Sequence, residues 1–192
     1  MAKRNQTGRA EAYALFDTAL GVCGVAWSSQ GLTRLQLPES DPAATQARLM
    51  AWDSRAVASN PTPEIATAIA QLRRYFKGER IELNDIALDL GGISPFYQSV
   101  YAATRALAWG QTTSYGALAV AVGSPGAARA IGQAMSRNPV PIIMPCHRVL
   151  ASGSKPGGFS SFGGTLTKGR LLAMEGVTIA TAAPLLALMA GD

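Results

Sequence analysis

Proline and glycine break up the second half of this chain so densely that no long element can cross it. "VGSPG" (122–126), "NPVPIIMP" (138–145) and "SGSKPGGFSSFGG" (152–164) follow within 43 residues. Proline cannot continue a helix or donate to a sheet ladder, and glycine favours turns. Short helices joined by shaped loops are what remains. "SYGALAVAVG" reads as a short helix from Ser114 to Gly123. "SPGAARAIGQAMSRN" reads as a second, with serine and proline at its start. Two short helices joined across "VGSPG" form a helix-turn-helix pattern. Before them, "SPFYQSVYAATRALAWG" is helical from Ser94 and Pro95 to Gly110, and a last helix spans about 167–175.

The first half has a different texture. "GVCGVAWSSQGLTRLQLP" reads as a hairpin around Ser-Ser-Gln-Gly. "DPAATQARLMAWDSRAVA" is helical in character. "TPEIATAIAQLRRYFKG" is a clearer helix: Thr62 caps it, Pro63 opens it, Ile65, Ile69, Leu72 and Phe76 share a face, and Gly78 ends it. "IELNDIALDL" alternates like a strand. These elements make an α+β protein of two domains: a tail over 1–12, an α/β domain over 13–92 joined through "GGISP", a mostly helical domain over 93–180, and a tail over 181–192.

Charge separates the halves. Residues 1–92 carry ten Lys/Arg and ten Asp/Glu. Residues 93–192 carry seven Lys/Arg against Glu175 and Asp192, the whole of the net +5, and no acidic residue lies between Ile93 and Met174. A polyanionic partner for this half is the natural inference, with a merely soluble basic face as the alternative. The second helix of the pair is built of small residues, Ala127, Ala128, Ala130, Gly132 and Ala134, with Arg129 and Gln133 as its long polar side chains. A helix reading a major groove carries more hydrogen-bonding side chains. Small residues let a backbone approach a narrow groove, and a lone cation among them can enter a base stack. Close packing against another helix would favour the same residues.

"MPCHRVL" (144–150) holds the only histidine and one of two cysteines. A thiolate is a nucleophile only where a cation, base or helix N-terminus favours it. His147 and Arg148 follow Cys146 at once. Neighbours on extended chain point apart, so the pair requires a bent backbone or a bridging water. A structural cysteine beside a surface histidine is the plainer alternative. Two cysteines and one histidine exclude a four-ligand zinc site, and no metal or cofactor is expected. A reducing, cytoplasmic setting is expected from the cysteine usage. No signal peptide is read at the start, and no apolar run reaches the ~20 residues of a membrane helix. "TIATAAPLLALMA" is too short and contains a proline.

"SYGALAVAVGSPGAARAIGQAMSRNPVPIIMPCHRVLASGSKPGGFS", without a gap, resembles the helix-turn-helix, active site and binding loop of the O6-alkylguanine-DNA alkyltransferases. These are also called methylated-DNA–protein-cysteine methyltransferases. "LTKGRLLAMEG" resembles the family's closing helix. The likeness is strong over about 95–177 and architectural over 15–90. It implies an RNase H-like α/β domain followed by a winged-helix, helix-turn-helix DNA-binding domain.

The resemblance also implies roles. Cys146 accepts the alkyl group, His147 draws its proton through a water, and Glu175 orients His147. Asn138 braces the turn between helix and active site. Tyr115 lies near the flipped guanine, and Arg129 fills the vacated place in the duplex. Met135 and Phe159 wall the pocket, and the Ser160 N–H faces the guanine oxygen. Ala128, Gly132, Val149 and Lys168 complete the set facing substrate and DNA. The expected protein is a monomer that binds double-stranded DNA containing O6-alkylguanine, with no membrane. It removes methyl or other alkyl groups once per chain, O4-alkylthymine being a further substrate to consider. Ser161 and Phe162 are extra relative to shorter members, and the cysteines and histidines of zinc-bearing members are absent. A non-catalytic helix-turn-helix damage sensor or regulator is one alternative, and a cysteine hydrolase is another.

Overall fold

The computed structural model describes residues 8–179; the expected C-terminal tail over 181–192 and residues 1–7 of the N-terminal one lie outside the described residues. The chain forms two compact units. One holds the described residues through Gln98 together with Pro139–Ile143; the other holds Ser99–Asn138 and the described residues from Met144 onward.

The first unit is built on a four-stranded sheet of order β3-β2-β1-β4, with β1 Ala12–Thr18, β2 Gly21–Ser28, β3 Gly31–Gln36 and the short β4 Val57–Ala58. β1, β2 and β3 are antiparallel in sequence, so two tight turns connect them, while β4 joins β1 in parallel. The hairpin read from "GVCGVAWSSQGLTRLQLP" is β2–β3. Its Gly31 is required: φ is +142°, and a Cβ there would meet the Ala87 carbonyl oxygen at 2.5 Å. β1 begins inside the stretch read as a tail. Ala10 is buried, and the Glu11 N–H donates to the Trp27 carbonyl at 2.8 Å, so the chain is anchored from residue 10.

Helix α1 Pro42–Met50 is capped by Asp41, which accepts from the Ala44 N–H at 2.8 Å. Helix α2 Pro63–Phe76 matches its expected caps: Thr62 accepts from the Ile65 N–H, Pro63 opens the helix, and Ile65, Ile69, Leu72 and Phe76 are buried on one face. Gly78 follows at φ +83°. "IELNDIALDL" is not a strand. Leu83 and Ile86 are its buried anchors. They lie three residues apart across a turn closed by Ile86 N–H to Leu83 O, so period-two pairing fails, and only Leu88 bridges to Leu32.

Helix α3 Pro95–Arg105 leads the chain into the second unit and stops short of the expected Gly110. Here two-residue strands β5 Thr113–Ser114 and β6 Val149–Leu150 pair in parallel, flanked by α4 Tyr115–Ala121, α5 Ala128–Ser136 and α6 Thr165–Met174. Helices α4 and α5 form the expected helix-turn-helix. However, α5 does not start at Ser124-Pro125. Gly126 sits at φ +86°, a left-handed conformation no α-helix contains, so the helix begins at Ala128 without a side-chain cap. Ser124-Pro125 therefore belong to the turn, where the Ser124 N–H closes onto Ala119 O.

Candidate active site

Cys146–Arg148 form a single 3-10 turn after Pro145, which resolves how Cys146 and His147 share one site. The bent backbone replaces the alternation of an extended chain. Asn138 holds this turn from behind. Its amide Nδ2 donates to the Met144 carbonyl at 2.6 Å, so the last residue of the α5 exit is tied to the residue two before the cysteine. The stretch between those two ties, Pro139–Ile143, packs in the first unit, where Pro139 O accepts from the Leu35 N–H.

Cys146 lines a cavity of about 440 Å³ together with Tyr115, Gly132, Met135, Ser136, Gly158, Phe159 and Ser160. The sulfur's residue is only 6 % exposed. Burial pushes the thiol up; the Asn138 side chain, the Lys168 charge and the backbone N–H groups of Cys146 and His147 oppose it. The resting group is a protonated thiol. Cys23 offers the contrast: sealed in β2 at 0 % exposure, with only Thr18 opposing burial, its thiol is pushed up to about 12. Both cysteines are free.

Behind the thiol lies a buried charge network. His147 Nε2 is 2.9 Å from Glu175 Oε1, both side chains being fully buried. Arg148 donates from Nε to Glu175 Oε2 at 2.7 Å and from Nη2 to Oε1 at 2.8 Å, and from Nη1 to the Leu107 carbonyl at 2.6 Å. The Gly110 N–H adds a fourth donor to the carboxylate at 3.3 Å. Burial lowers the His147 pKa, the carboxylate of Glu175 raises it, and the Arg148 and Lys168 cations lower it further. His147 is therefore a neutral imidazole. With Glu175 as a carboxylate, which only accepts, Nε2 would carry the proton and Nδ1 would be the basic nitrogen.

Lys168 is fully buried on α6. Its ammonium donates to the Val149 carbonyl at 2.6 Å and lies 6.0 Å from the Tyr115 ring centroid. Burial pulls its pKa down to about 8, and ionisation of Cys146 would oppose that fall. Val149 is itself buried in β6. Tyr115 opens α4 just after Ser114, whose side chain accepts from the Ala117 N–H at 3.0 Å. Burial raises the phenol's pKa, and the Cys146 charge adds to it. The Gly-rich loop ahead of α6 lies against this ring. Gly157, at φ +68°, leaves no room for a Cβ, which would stand 3.1 Å from Tyr115.

Of the residues named from sequence, Tyr115, Gly132, Met135, Cys146, Phe159 and Ser160 converge on the cavity. His147, Glu175, Asn138 and Lys168 support it from behind. Ala128 and Arg129 sit at the start of α5, Arg129 exposed and Ala128 half-buried. A Cβ at Gly132 would meet nothing within 4 Å, so packing does not require that glycine. Ser136 and Gly158 line the cavity without having been singled out. Arg148 was read only as a cation beside the cysteine, and its bond to a carboxylate 27 residues away leaves no local signature. The extra residues Ser161 and Phe162 are not in the cavity lining; Phe162 is exposed, and its carbonyl accepts from Thr167 Oγ1.

Among the described residues no group of three or more His, Cys, Asp or Glu side chains is placed to hold a metal ion. No helix among them is long and apolar enough to cross a membrane.

An α/β unit followed by a helix-turn-helix unit, with a thiol in a cavity wall beside a buried histidine–glutamate pair, defines an α+β protein whose second unit places one cysteine at a cavity. The ribonuclease-like domain of 6-O-methylguanine DNA methyltransferase matches residues 12–90, and its DNA-binding domain matches residues 95–177. A methylated-DNA–protein-cysteine methyltransferase of Mycolicibacterium paratuberculosis is 38 % identical over 165 residues, 85 % of this chain and 91 % of that protein. The constitutive enzyme of that name from Bacillus subtilis is 36 % identical over 148 residues, 77 % and 86 % of the two chains. The crystal structure of Mycobacterium tuberculosis OGT in complex with DNA aligns with a TM-score of 0.72 at 33 % identity, covering 88 % of this chain and 96 % of that one. The chain belongs to the 6-O-methylguanine DNA methyltransferase family.

Proposed function

We propose that this protein repairs O6-alkylguanine in double-stranded DNA by moving the alkyl group onto Cys146. The observation that carries this reading is the thiol in the wall of a cavity of about 440 Å³, with the buried His147–Glu175 pair behind it at 2.9 Å. Damage inside a duplex is out of reach, so the base turns out of the stack into the cavity, at a cost of about a few kcal/mol. Helix α5 approaches the minor groove, where the open face at Gly132 and the half-buried Ala128 let its backbone come close. Arg129 enters the gap left by the base.

In the cavity the thiol proton passes through a water to Nδ1 of His147, whose Nε2–H stays on Glu175. Lys168 stabilises the thiolate by its charge. The sulfur attacks the alkyl carbon: the S–C bond forms and the C–O6 bond breaks. The electron pair stays on guanine, which takes up a proton from water while the imidazolium of His147 gives the thiol's proton back to water, so one proton moves from sulfur to guanine overall. Tyr115 and the Ser160 N–H offset charge on the leaving base, while Met135 and Phe159 pack around it. Asn138 keeps the 3-10 turn in place, and Val149 supplies the carbonyl that anchors Lys168. No cofactor takes part. The thioether is stable to hydrolysis, so each chain acts once. A reducing compartment such as the cytoplasm suits a protein that must keep Cys146 as a free thiol.

Mass spectrometry after incubation with O6-methylguanine duplex tests the reading. The expected result is one added methyl per chain, on Cys146, with unmodified guanine left in the DNA. Sustained turnover, or a methyl at another residue, overturns it. Arg129→Ala is expected to slow repair in duplex by about 10-fold or more while leaving reaction with the free alkylated base within about 2-fold, as loss of one stacking contact of about 1–3 kcal/mol predicts. Equal losses on the two substrates would remove Arg129 from the duplex gap.

A further inference from the structure

The alkyl-transfer reading gives Glu175 the task of orienting His147, but a buried carboxyl does not stay ionised by itself. Burial disfavours the charged form, and a protonated Glu175 would donate to Nε2 instead of accepting from it. The imidazole would then carry its proton on Nδ1, the nitrogen that must receive one from the thiol. We infer that Arg148 is a positioning residue of this site: its guanidinium fork keeps Glu175 ionised and thereby keeps the proton of His147 on Nε2.

Three features support this. Both carboxylate oxygens take a charge-assisted bond from Arg148, at 2.7 and 2.8 Å, the two-point match that a planar fork makes with a carboxylate and an ammonium cannot. The third arm is fixed to the Leu107 carbonyl at 2.6 Å, so the fork cannot follow a moving carboxylate. Arg148 is only 8 % exposed, which keeps water from replacing it. The pair His147–Glu175 can hold from one to three protons. With one, on Nε2, its Nδ1 is free to take the thiol's. With two, Nδ1 is already occupied, either in an imidazolium beside an ionised Glu175 or in a neutral ring whose Nε2 accepts from a protonated Glu175. The Arg148 cation disfavours the doubly protonated pair. The Lys168 charge also acts on His147, and the Gly110 N–H also donates to Glu175 Oε2.

This inference rests on the alkyl-transfer reading but is tested apart from it. The chain has one histidine, so nitrogen-15 NMR of the imidazole in full-length protein gives one unambiguous pair of ring signals. The expected wild-type spectrum at neutral pH is a single neutral tautomer protonated on Nε2; an Nδ1–H tautomer overturns the inference. Arg148→Met and Arg148→Lys are then compared for the pH dependence of methyl transfer from O6-methylguanine duplex, with circular dichroism reporting folding. Loss of the cation raises the pKa of the pair, so the acid limb of Arg148→Met moves up by about 1–3 pH units. Arg148→Lys keeps the charge and loses the fork: its acid limb stays within about half a unit of wild type while its rate falls about 10-fold or more. A folded Arg148→Met with the wild-type limb, or an Arg148→Lys limb displaced by a full unit or more, overturns it. If Arg148→Met does not fold, the wild-type tautomer and the Arg148→Lys limb decide. If wild type transfers no methyl at all, alkyl transfer fails and the tautomers of wild type and Arg148→Lys still decide the role of Arg148.

Discussion

Cys146→Ala abolishes alkyl transfer and leaves binding to damaged duplex within about 3-fold of wild type. The expected loss is complete, because the acceptor atom itself is gone. The other thiol, Cys23, cannot substitute: it is sealed in β2 at 0 % exposure with its pKa pushed up to about 12. Binding survives because the surface assigned to DNA is α5, whose Arg129 and Gly132 lie on a different element from the 3-10 turn. The fold should survive as well. The turn is held by Asn138 on the Met144 carbonyl and by Arg148 and His147 on Glu175, none of which needs the sulfur. The check is a labelled-methyl transfer assay beside a gel-shift titration with the same oligonucleotide. Residual methylation of Cys146→Ala would place the acceptor elsewhere, and lost binding would mean that Cys146 supports the DNA surface.

Glu175→Gln has the largest expected effect on stability and the second largest on rate. The substitution keeps the shape and removes the charge. Arg148 then loses the carboxylate that both Nε and Nη2 point to, and a buried cation is left uncompensated. Breaking a buried pair in this way costs roughly 3–5 kcal/mol, a fall in Tm on the order of 10 °C for a chain of this size. For the rate, the glutamine amide can present either its oxygen or its NH2 to His147, so Nε2 no longer has a fixed acceptor, and the charge of Glu175 no longer raises the imidazole pKa. A weaker base without a fixed tautomer lowers transfer by about 10²–10⁴-fold, the usual range for general-base catalysis. Calorimetry and single-turnover transfer measure the two effects. A variant as stable and fast as wild type would show that the His147–Glu175–Arg148 network is idle.

How much of this was legible before the fold depended on the range of each signal. Helix α2 could be read in full, since Thr62, Pro63, the apolar face and Gly78 are all local. "IELNDIALDL" misled because its alternation is real in sequence, yet the buried Leu83 and Ile86 flank a turn. The start of α5 misled in a similar way. Ser124-Pro125 is a good helix opening, and only the backbone of Gly126 at φ +86° moves the start to Ala128. At the site, Cys146 and His147 announced themselves by adjacency. Glu175 and Asn138 were reachable only through likeness to a family, because their partners lie far along the chain or on backbone carbonyls. Ser136 and Gly158 carried no signal at all.

The residue types and their spacing alone settled that the basic half would be short helices around shaped loops, with one cysteine placed beside the one histidine and a cation. Local backbone preference and side-chain chemistry suffice for that. They do not settle electrostatics. That the thiol rests protonated, that the imidazole is neutral, and that a guanidinium clasps the distant carboxylate follow from burial and from contacts across 27 residues. Those depend on how α6 packs on the 3-10 turn, and charge in a low-dielectric interior is governed by its nearest neighbours in space.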